Sequence, residues 1–435
     1  MDFTIHDFSI IPDRYTRLNN RDHLGELVRV GENMKFEYGT AGFRTNAKYM
    51  PFIAFRMGIL AAVRARNLMN NTGLMITASH NLEEDNGIKL IDPTGDMLEE
   101  TWETIANNFG MVTSVYSKKL NIDCANGVGG TKFKEIMVLA KGLFEINLCN
   151  IDGPLNYKCG ADYVKIAQDF PINMENIPIA ERCASFDGDA DRIVYFFRNK
   201  NNKFQLLDGD KIASLIAIAE ANLEKKCTIG VVQTAYSNGS STKFLTEELG
   251  LPVSIVPTGV KYLHKEAHKF DVGIYFEANG HGTVLFSERF LSEIHSNTSN
   301  QSVCNLKYFV KIINSVVGDA MADLLIIESI LKYYDWSIED WALKLYVDRP
   351  SCQIKVKVRD RSIFKTTYDQ LTCLSPEGIQ KFIDEKAVDG SRCFIRPSGT
   401  ENIVRVYAEA STEEKAKELA DLVAKEVGRI AADHK

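Results

Sequence analysis

Short apolar runs and amphipathic segments alternate along most of this chain. "GLMIT" (73–77), "KLNIDCA" (119–125), "CTIGVVQT" (227–234), "VSIVP" (253–257) and "DVGIYFEA" (271–278) predict short buried strands. "FIAFRMGILAAVRARNLM" (52–69), "DGDKIASLIAIAEANLEKK" (208–226) and "SSTKFLTEELG" (240–250) predict helices. Such alternation implies α/β units whose sheets are mixed and largely parallel. The pattern changes near the C-terminus. "SCQIKVKVRD" and "NIVRVYAEA" alternate with period two, and a helix with Ala416, Leu419, Ala420, Val423, Val427 and Ile430 on one face follows. Ser411 and Glu414 are read as its capping box. The expectation is three α/β domains with mixed sheets, 1–118, 119–222 and 223–335, then an α+β domain, 336–435. These boundaries fall at turns between blocks; no obvious linker marks them.

Composition narrows the class. With 435 residues, 45% hydrophobic and 25% charged, the chain has the material for several buried cores. A net charge of −7 argues against a general nucleic-acid binder, although a local basic cluster can still hold an anion. The nine cysteines are scattered without zinc-like spacing and read as free thiols of a reducing compartment. The N-terminus has neither the basic nor the apolar segment of a signal peptide, and no run of about 18 apolar residues occurs, so a cytosolic address and no membrane span are expected.

Candidate chemistry concentrates in five stretches. In "SFDGDADRIVYFF", Asp187, Asp189 and Asp191 recur at every second residue, with small Gly188 and Ala190 between them. Three carboxylates brought together repel unless a cation sits among them, and hard oxygen ligands suit Mg²⁺. An EF-hand loop would need Gly and Glu where Arg192 and Arg198 stand, so that reading is rejected. In "RPSGTENIVRVYAEA", Arg396 offers a planar fork, Ser398 and Thr400 offer hydroxyls, Gly399 exposes backbone N–H groups, and Arg405 shares a strand face with Ile403 and Tyr407. This is read as a phosphate cradle. "YFEANGHGTVLF" places Glu277, Asn279 and His281 between apolar runs, as a sugar-contacting loop or a polar hairpin. "EYGTAGFRT" ends in Arg44, an anion anchor or a surface arginine. "MITASHN" sets Ser79 against His80. It lacks the G-x-S-x-G elbow of a hydrolase, and adjacent side chains diverge, so a serine–histidine hydrolase is disfavoured. If Ser79 instead carries a phosphate, with about −1.5 to −2 charges, the metal loop and the cradle acquire a common purpose. Lys89 in "EDNGIKL" would then exchange the proton of the attacking hydroxyl.

These stretches, in this order, resemble the α-D-phosphohexomutase superfamily, and "IDCANGVGG", "DGDKIA", "GVVQTAYSNGSST" and "TGVKYLH" are similar to its phosphoacetylglucosamine mutase branch. The resemblance implies four domains around a central cleft and an isomerase that interconverts N-acetylglucosamine 6-phosphate and 1-phosphate. Phospho-Ser79 would give its phosphoryl group to the sugar, passing through a glucosamine-type 1,6-bisphosphate. It further implies one Mg²⁺ on Asp187, Asp189, Asp191 and the phosphoserine. Arg44 and His80 would support Ser79. Arg192, Thr258, Gly259, Lys261, Glu277 and Asn279 would meet the sugar, and Arg396, Ser398, Gly399, Thr400 and Arg405 the distal phosphate. The implied partner is a small sugar phosphate, with no nucleic acid or membrane, and the implied assembly is a monomer. The implied role is supply of UDP-N-acetylglucosamine.

Two features depart from the pattern. Leu82 stands where relatives carry proline, and between "TWETIANNFG" and "KLNIDCANG" the chain lacks a long segment that completes their first domain. A first domain with a reduced sheet is therefore expected, with an edge to be covered. The competing readings are a phosphoglucomutase or phosphomannomutase, a non-catalytic sugar-phosphate binder, and a Mg²⁺-dependent phosphatase.

Overall fold

The computed structural model describes residues 12–17, 19–31, 34, 36–39, 42–77, 82, 84–111, 119–139, 144–221, 227–296 and 301–433. The chain divides into two compact units, Met1–Ser117 with Lys332–Asp335, and Lys118–Leu331 with Trp336–Lys435. It is a mixed α/β structure.

The first unit holds β1 (Tyr38–Gly39), β2 (Gly42–Asn46), β3 (Gly73–Ile76) and β4 (Asp85–Ile91), in the order β1-β2-β4-β3. Its pairings are all antiparallel among the described residues. Helix α1 (Met50–Leu68) begins with a proline in its first turn, where the missing N–H costs nothing, and ends at Met69 in a left-handed conformation. It lays Phe52, Ile53, Met57 and Leu60 on Phe43, Ile88 and Leu90 of the sheet, beside Trp102 and Ala106 of α2 (Glu100–Met111). Each such burial stabilises by roughly 1.5–3 kcal/mol.

The second unit opens with a mixed sheet, β6-β5-β7-β8-β9, made from β5 (Lys119–Asp123), β6 (Glu145–Cys149), β7 (Cys183–Phe186), β8 (Ile193–Arg198) and β9 (Phe204–Leu207). β5 pairs parallel with β6 and β7, while β7, β8 and β9 form an antiparallel meander. Helices α3 (Val128–Leu139) and α4 (Ala161–Ala167) accompany it, and α5 (Gly209–Ala221) packs between it and the sheet that follows. Residues 193–197 of β8 are all buried, which is why its sequence is continuously apolar.

A second mixed sheet, β11-β10-β12-β13, follows. It contains β10 (Ile229–Thr234), β11 (Val253–Val256), β12 (Val272–Phe276) and β13 (Gly282–Phe286), with α6 (Gly239–Lys243), α7 (Val260–Ala267), α8 (Glu288–Ser296), α9 (Gln301–Ile312), α10 (Ala320–Tyr334) and α11 (Ile338–Lys344). The helix expected at 240–250 is α only through Lys243 and continues as a π turn over Phe244–Glu248.

The C-terminal part is α+β. β14 (Ser351–Lys357), β17 (Arg392–Pro397) and β18 (Ile403–Glu409) form an antiparallel sheet, β14-β18-β17, beside the small pair β15 (Lys365–Thr366) and β16 (Cys373–Ser375). Val404, Val406, Cys393 and Ile395 face α12 (Ile379–Lys386) and the apolar stripe of α13 (Glu413–Asp433). The cap of α13 is Thr412, whose Oγ1 accepts from Lys415 N at 3.2 Å, one residue after the Ser411 read from sequence. The described cysteines are free, and among the described residues no helix is long and apolar enough to cross a membrane.

Candidate active site

β7 ends at Phe186, fully buried against Phe133. The chain then coils over Asp187, whose Oδ1 accepts Asp191 N at 3.1 Å and Arg192 N at 3.2 Å. The coil fits because a Cβ at Gly127 would come within 2.2 Å of Gly188 O, and Val128 N donates to that same carbonyl at 3.0 Å. Carboxylate oxygens of Asp187, Asp189 and Asp191 thereby lie within 4.8 Å of one another. Burial first, and Asp191 next, push Asp187 up to about 7. Asp191 Oδ1 is buried without a hydrogen bond, while its Oδ2 lies 3.0 Å from His281 Nδ1. Converging carboxylates that repel one another, one of them with an oxygen lacking a hydrogen bond, fit a hard divalent cation such as Mg²⁺. Arg192, assigned to the sugar from sequence, is already divided among Asp162 at 2.8 Å, Asp187 at 3.5 Å and Asp191 at 3.7 Å. Its visible task is to balance the charge of the loop.

The hairpin between β12 and β13 meets this loop directly. Ile193 N donates to Gly280 O at 3.1 Å, and Arg192 and His281 form an antiparallel bridge. Glu277 Oε1 accepts Gly259 N at 3.1 Å, which ties Thr258, Gly259 and Lys261 to the same hairpin. Asn279 Oδ1 accepts His281 N at 3.0 Å, which orients the amide on the turn; its carbonyl can still accept a second bond and its NH₂ can donate. Thr258 Oγ1 donates to Gln370 Oε1 at 3.2 Å, a partner with no signal in the sequence motifs. Behind the hairpin, Gly209 packs so closely that a Cβ would lie 1.9 Å from Glu277 O. Next to it Asp208 pairs with Lys165, and burial with Asp208 nearby pushes Asp210 up to about 7.

Across the C-terminal sheet, Arg396 stands directly opposite Arg405. Their strands send Val404 and Val406 to the helices, so the arginines share the other face with Phe394 and Tyr407. Like charges directly opposite destabilise a sheet. Both Nε atoms are buried without a hydrogen-bond partner, an arrangement that an anion would satisfy. The Arg396 guanidinium lies 5.8 Å from the Tyr236 ring centre. Ser398 Oγ accepts Thr400 N at 3.4 Å and Glu401 N at 3.3 Å, folding the loop, and Gly399 O accepts Arg361 Nη2 at 2.8 Å. Tyr236 and Arg361 were missed from sequence. Tyr236 lay inside a quoted motif, whereas Arg361 carried no signal.

In the first unit, Ser79 and His80 lie outside the described residues. The chain reaches them through Thr77, whose N–H donates to Gly87 O at 3.0 Å and whose carbonyl accepts Arg44 Nη1 at 2.9 Å. Arg44 is opposite Gly87 and Lys89 is opposite Met75, so Arg44, Lys89 and Met75 share one sheet face, away from Phe43 and Ile88 in the core. Arg44 therefore anchors the backbone two residues before Ser79.

Comparisons with known proteins agree with this geometry. Family models described as phosphoacetylglucosamine mutase domain III and domain II match residues 208–336 and 100–194. Models of the phosphoglucomutase/phosphomannomutase C-terminal domain and of its alpha/beta/alpha domain I match 354–426 and 58–114. The phosphoacetylglucosamine mutase of Mus musculus is 37% identical over 507 aligned positions, covering 89% of this chain and 93% of that one. Those 507 positions exceed the 435 residues present here, so the mouse protein contains segments this chain lacks. The Candida albicans phosphoacetylglucosamine mutase is 36% identical over 90% of this chain and 96% of its own. Among solved structures, the Aspergillus fumigatus N-acetylphosphoglucosamine mutase in complex with GlcNAc-6P and magnesium superposes with a TM-score of 0.69 at 36% identity, over 92% of this chain and 97% of that one. The same enzyme has been solved as a variant with glucose 1,6-bisphosphate, with a TM-score of 0.67 at 35% identity over 93% and 97% of the two chains. By its motifs, its site geometry and these matches, the chain belongs to the phosphoacetylglucosamine mutase family of the α-D-phosphohexomutases.

Proposed function

We propose that the chain interconverts N-acetylglucosamine 6-phosphate and N-acetylglucosamine 1-phosphate, with Ser79 as the phosphoryl carrier. The observation that carries this reading is the convergence of Asp187, Asp189 and Asp191 beside the Glu277 hairpin, in the same unit as an arginine pair with unsatisfied Nε atoms. Relatives that bind N-acetylglucosamine 6-phosphate with magnesium, and glucose 1,6-bisphosphate, support it.

Asp187, Asp189, Asp191 and phosphorylated Ser79 would hold Mg²⁺, which supplies neutralisation of the charge on a transferring phosphoryl group. Ser79 donates its phosphoryl group to the free sugar hydroxyl. The new P–O bond forms as the Ser79 Oγ–P bond breaks, and the hydroxyl proton passes to a base, the role assigned to Lys89. The resulting 1,6-bisphosphate then returns the phosphate at position 6 to Ser79 and leaves the 1-phosphate. Arg44 steadies the carrier strand. Glu277, Asn279, Thr258, Gly259 and Lys261 orient the sugar. Arg396, Arg405, Ser398, Gly399 and Thr400 hold the phosphate that is not reacting. The domain division at residues 118, 222 and 335, a monomeric state, a cytosolic address and a role in UDP-N-acetylglucosamine supply belong to the same proposal.

A coupled mutase assay alongside intact-protein mass tests it. The wild type is expected to carry a phosphoryl group and to lose turnover on chelation, regaining it with Mg²⁺. Ser79→Ala is expected to lose both the phosphoryl mass and isomerisation. Isomerisation that persists in Ser79→Ala would refute the carrier role. Ligand binding without isomerisation would identify a binder, release of free phosphate at a comparable rate a phosphatase, and preference for glucose phosphates a phosphoglucomutase.

A further inference from the structure

We propose that Glu409 is a positioning residue for this reaction, fixing the arginine cradle relative to the sugar-binding hairpin so that one ligand is gripped at both ends. The inference rests on the function proposed above and adds a residue that contacts neither sugar nor phosphate in that scheme.

Glu409 is the last residue of β18 and is fully buried. Its carboxylate enters the turn that leaves β10. Gly239 N donates to Oε1 and Oε2, each at 3.1 Å. Arg392 Nη2 donates to Oε1 at 2.7 Å and to Ser237 O at 2.7 Å, and Tyr407 Oη donates to Oε1 at 2.8 Å. On the same turn, Asn238 Nδ2 donates to Arg349 O at 3.0 Å while Arg349 N returns a bond to Asn238 Oδ1 at 3.1 Å. Asn238 N in turn donates to Asp210 Oδ2 at 2.8 Å. A buried carboxylate is expensive unless it is paired and hydrogen-bonded, and an apolar contact would join two domains at lower cost. What a charged, multiply bonded junction adds is a single allowed geometry.

That geometry reaches the site. Arg392 and Glu409 are cross-strand partners, and Arg396 and Arg405 are partners four residues away on the same two strands. About 13 Å of hydrogen-bonded ladder separates the clamp from the cradle. The clamped turn carries Tyr236, whose ring lies under Arg396. β10, which feeds the turn, pairs with β12, which ends one residue before Glu277. The route from Arg405 to Glu277 therefore runs along paired strands, joined at the turn by the Glu409 hydrogen bonds.

Glu409→Gln in the full chain keeps the shape and one acceptor while removing the charge. The expected result is a kcat lowered about tenfold, as for a misplaced but intact grip. The inhibition constant of inorganic phosphate should stay unchanged, because Arg396 and Arg405 remain. The variant should also depend on added glucose 1,6-bisphosphate, because a loosely spanned intermediate escapes before it swaps ends. Lowered thermal stability with unaltered kinetics would overturn the proposal, and so would phosphate inhibition weakened in step with kcat. Should the Gln variant fail to fold, Tyr407→Phe removes one hydroxyl from the clamp and should show the same pattern at smaller amplitude. Unchanged bisphosphate dependence in that variant would be equally fatal. An inactive wild type would count against the mutase reading, whereas an active wild type with a normal Gln variant would count against Glu409 alone.

Discussion

Two strands deliver the chain into its candidate chemistry, and they are buried in opposite ways. β7 leads into Asp187, pairs on both sides and is buried throughout. β3 leads to Thr77, two residues before Ser79, and among the described residues lies at the edge of its sheet, with Leu74, Met75 and Ile76 exposed at 41%, 48% and 59%. The contrast follows from what each loop must do. Three carboxylates that repel one another converge only if the frame overrides the repulsion, so the Asp187–Asp191 loop stands on a packed core. The proposed carrier, Ser79, has one hydroxyl to present, and the Gly87 and Arg44 bonds at Thr77 anchor the strand that leads to it. An apolar edge strand is otherwise a liability.

The largest effect expected from this contrast is on the buried side. Phe186→Ala removes a fully buried ring that packs edge-to-face on Phe133 immediately before Asp187. It should cost about 3–5 kcal/mol in urea unfolding. Mg²⁺ affinity should fall as well, because the base of the loop loses its support. Unchanged Mg²⁺ affinity in a folded variant would show that the loop does not depend on its core.

Asp189→Asn comes next and separates charge from frame. Asp189 is the exposed member of the trio and one of the charges that raise Asp187. It is a proposed direct ligand, so its loss should weaken Mg²⁺ by more than about a hundredfold, beyond the range seen when only an outer-shell partner is lost. Without metal, stability should hold or rise slightly, since repulsion inside the loop is relieved. Calorimetric Mg²⁺ titration together with thermal unfolding in chelator checks both halves. A variant destabilised in chelator would mean that Asp189 supports the fold rather than the ion.

The parts legible in the sequence were those written at short range. The alternating aspartates, the Arg396 loop and the apolar stripe of α13 are local patterns, and the structure keeps them. The cap of α13 was misplaced by one residue because Ser411 and Thr412 are both competent hydroxyls and only backbone geometry chooses between them. The rest depended on distant partners. Arg192 finds Asp162 thirty positions away, and Gly239 finds Glu409 across 170. No periodicity encodes such pairings, because the first arises only when α4 packs on its sheet and the second only when two sheets meet.

The smallest expected effect belongs to the edge strand. Ile76→Thr keeps a β-branched side chain, so strand propensity is preserved, and it replaces a side chain already open to solvent. Ile76 is paired with Ile88 rather than with Lys89, so the face shared by Arg44 and Lys89 is untouched. The change should alter unfolding free energy by less than about 0.5 kcal/mol. It should also reduce concentration-dependent association in sedimentation velocity, since an apolar template edge becomes polar. A cost approaching that of Phe186→Ala would mean that something covers β3 in solution, and the two strands would then no longer differ in the way their burial implies.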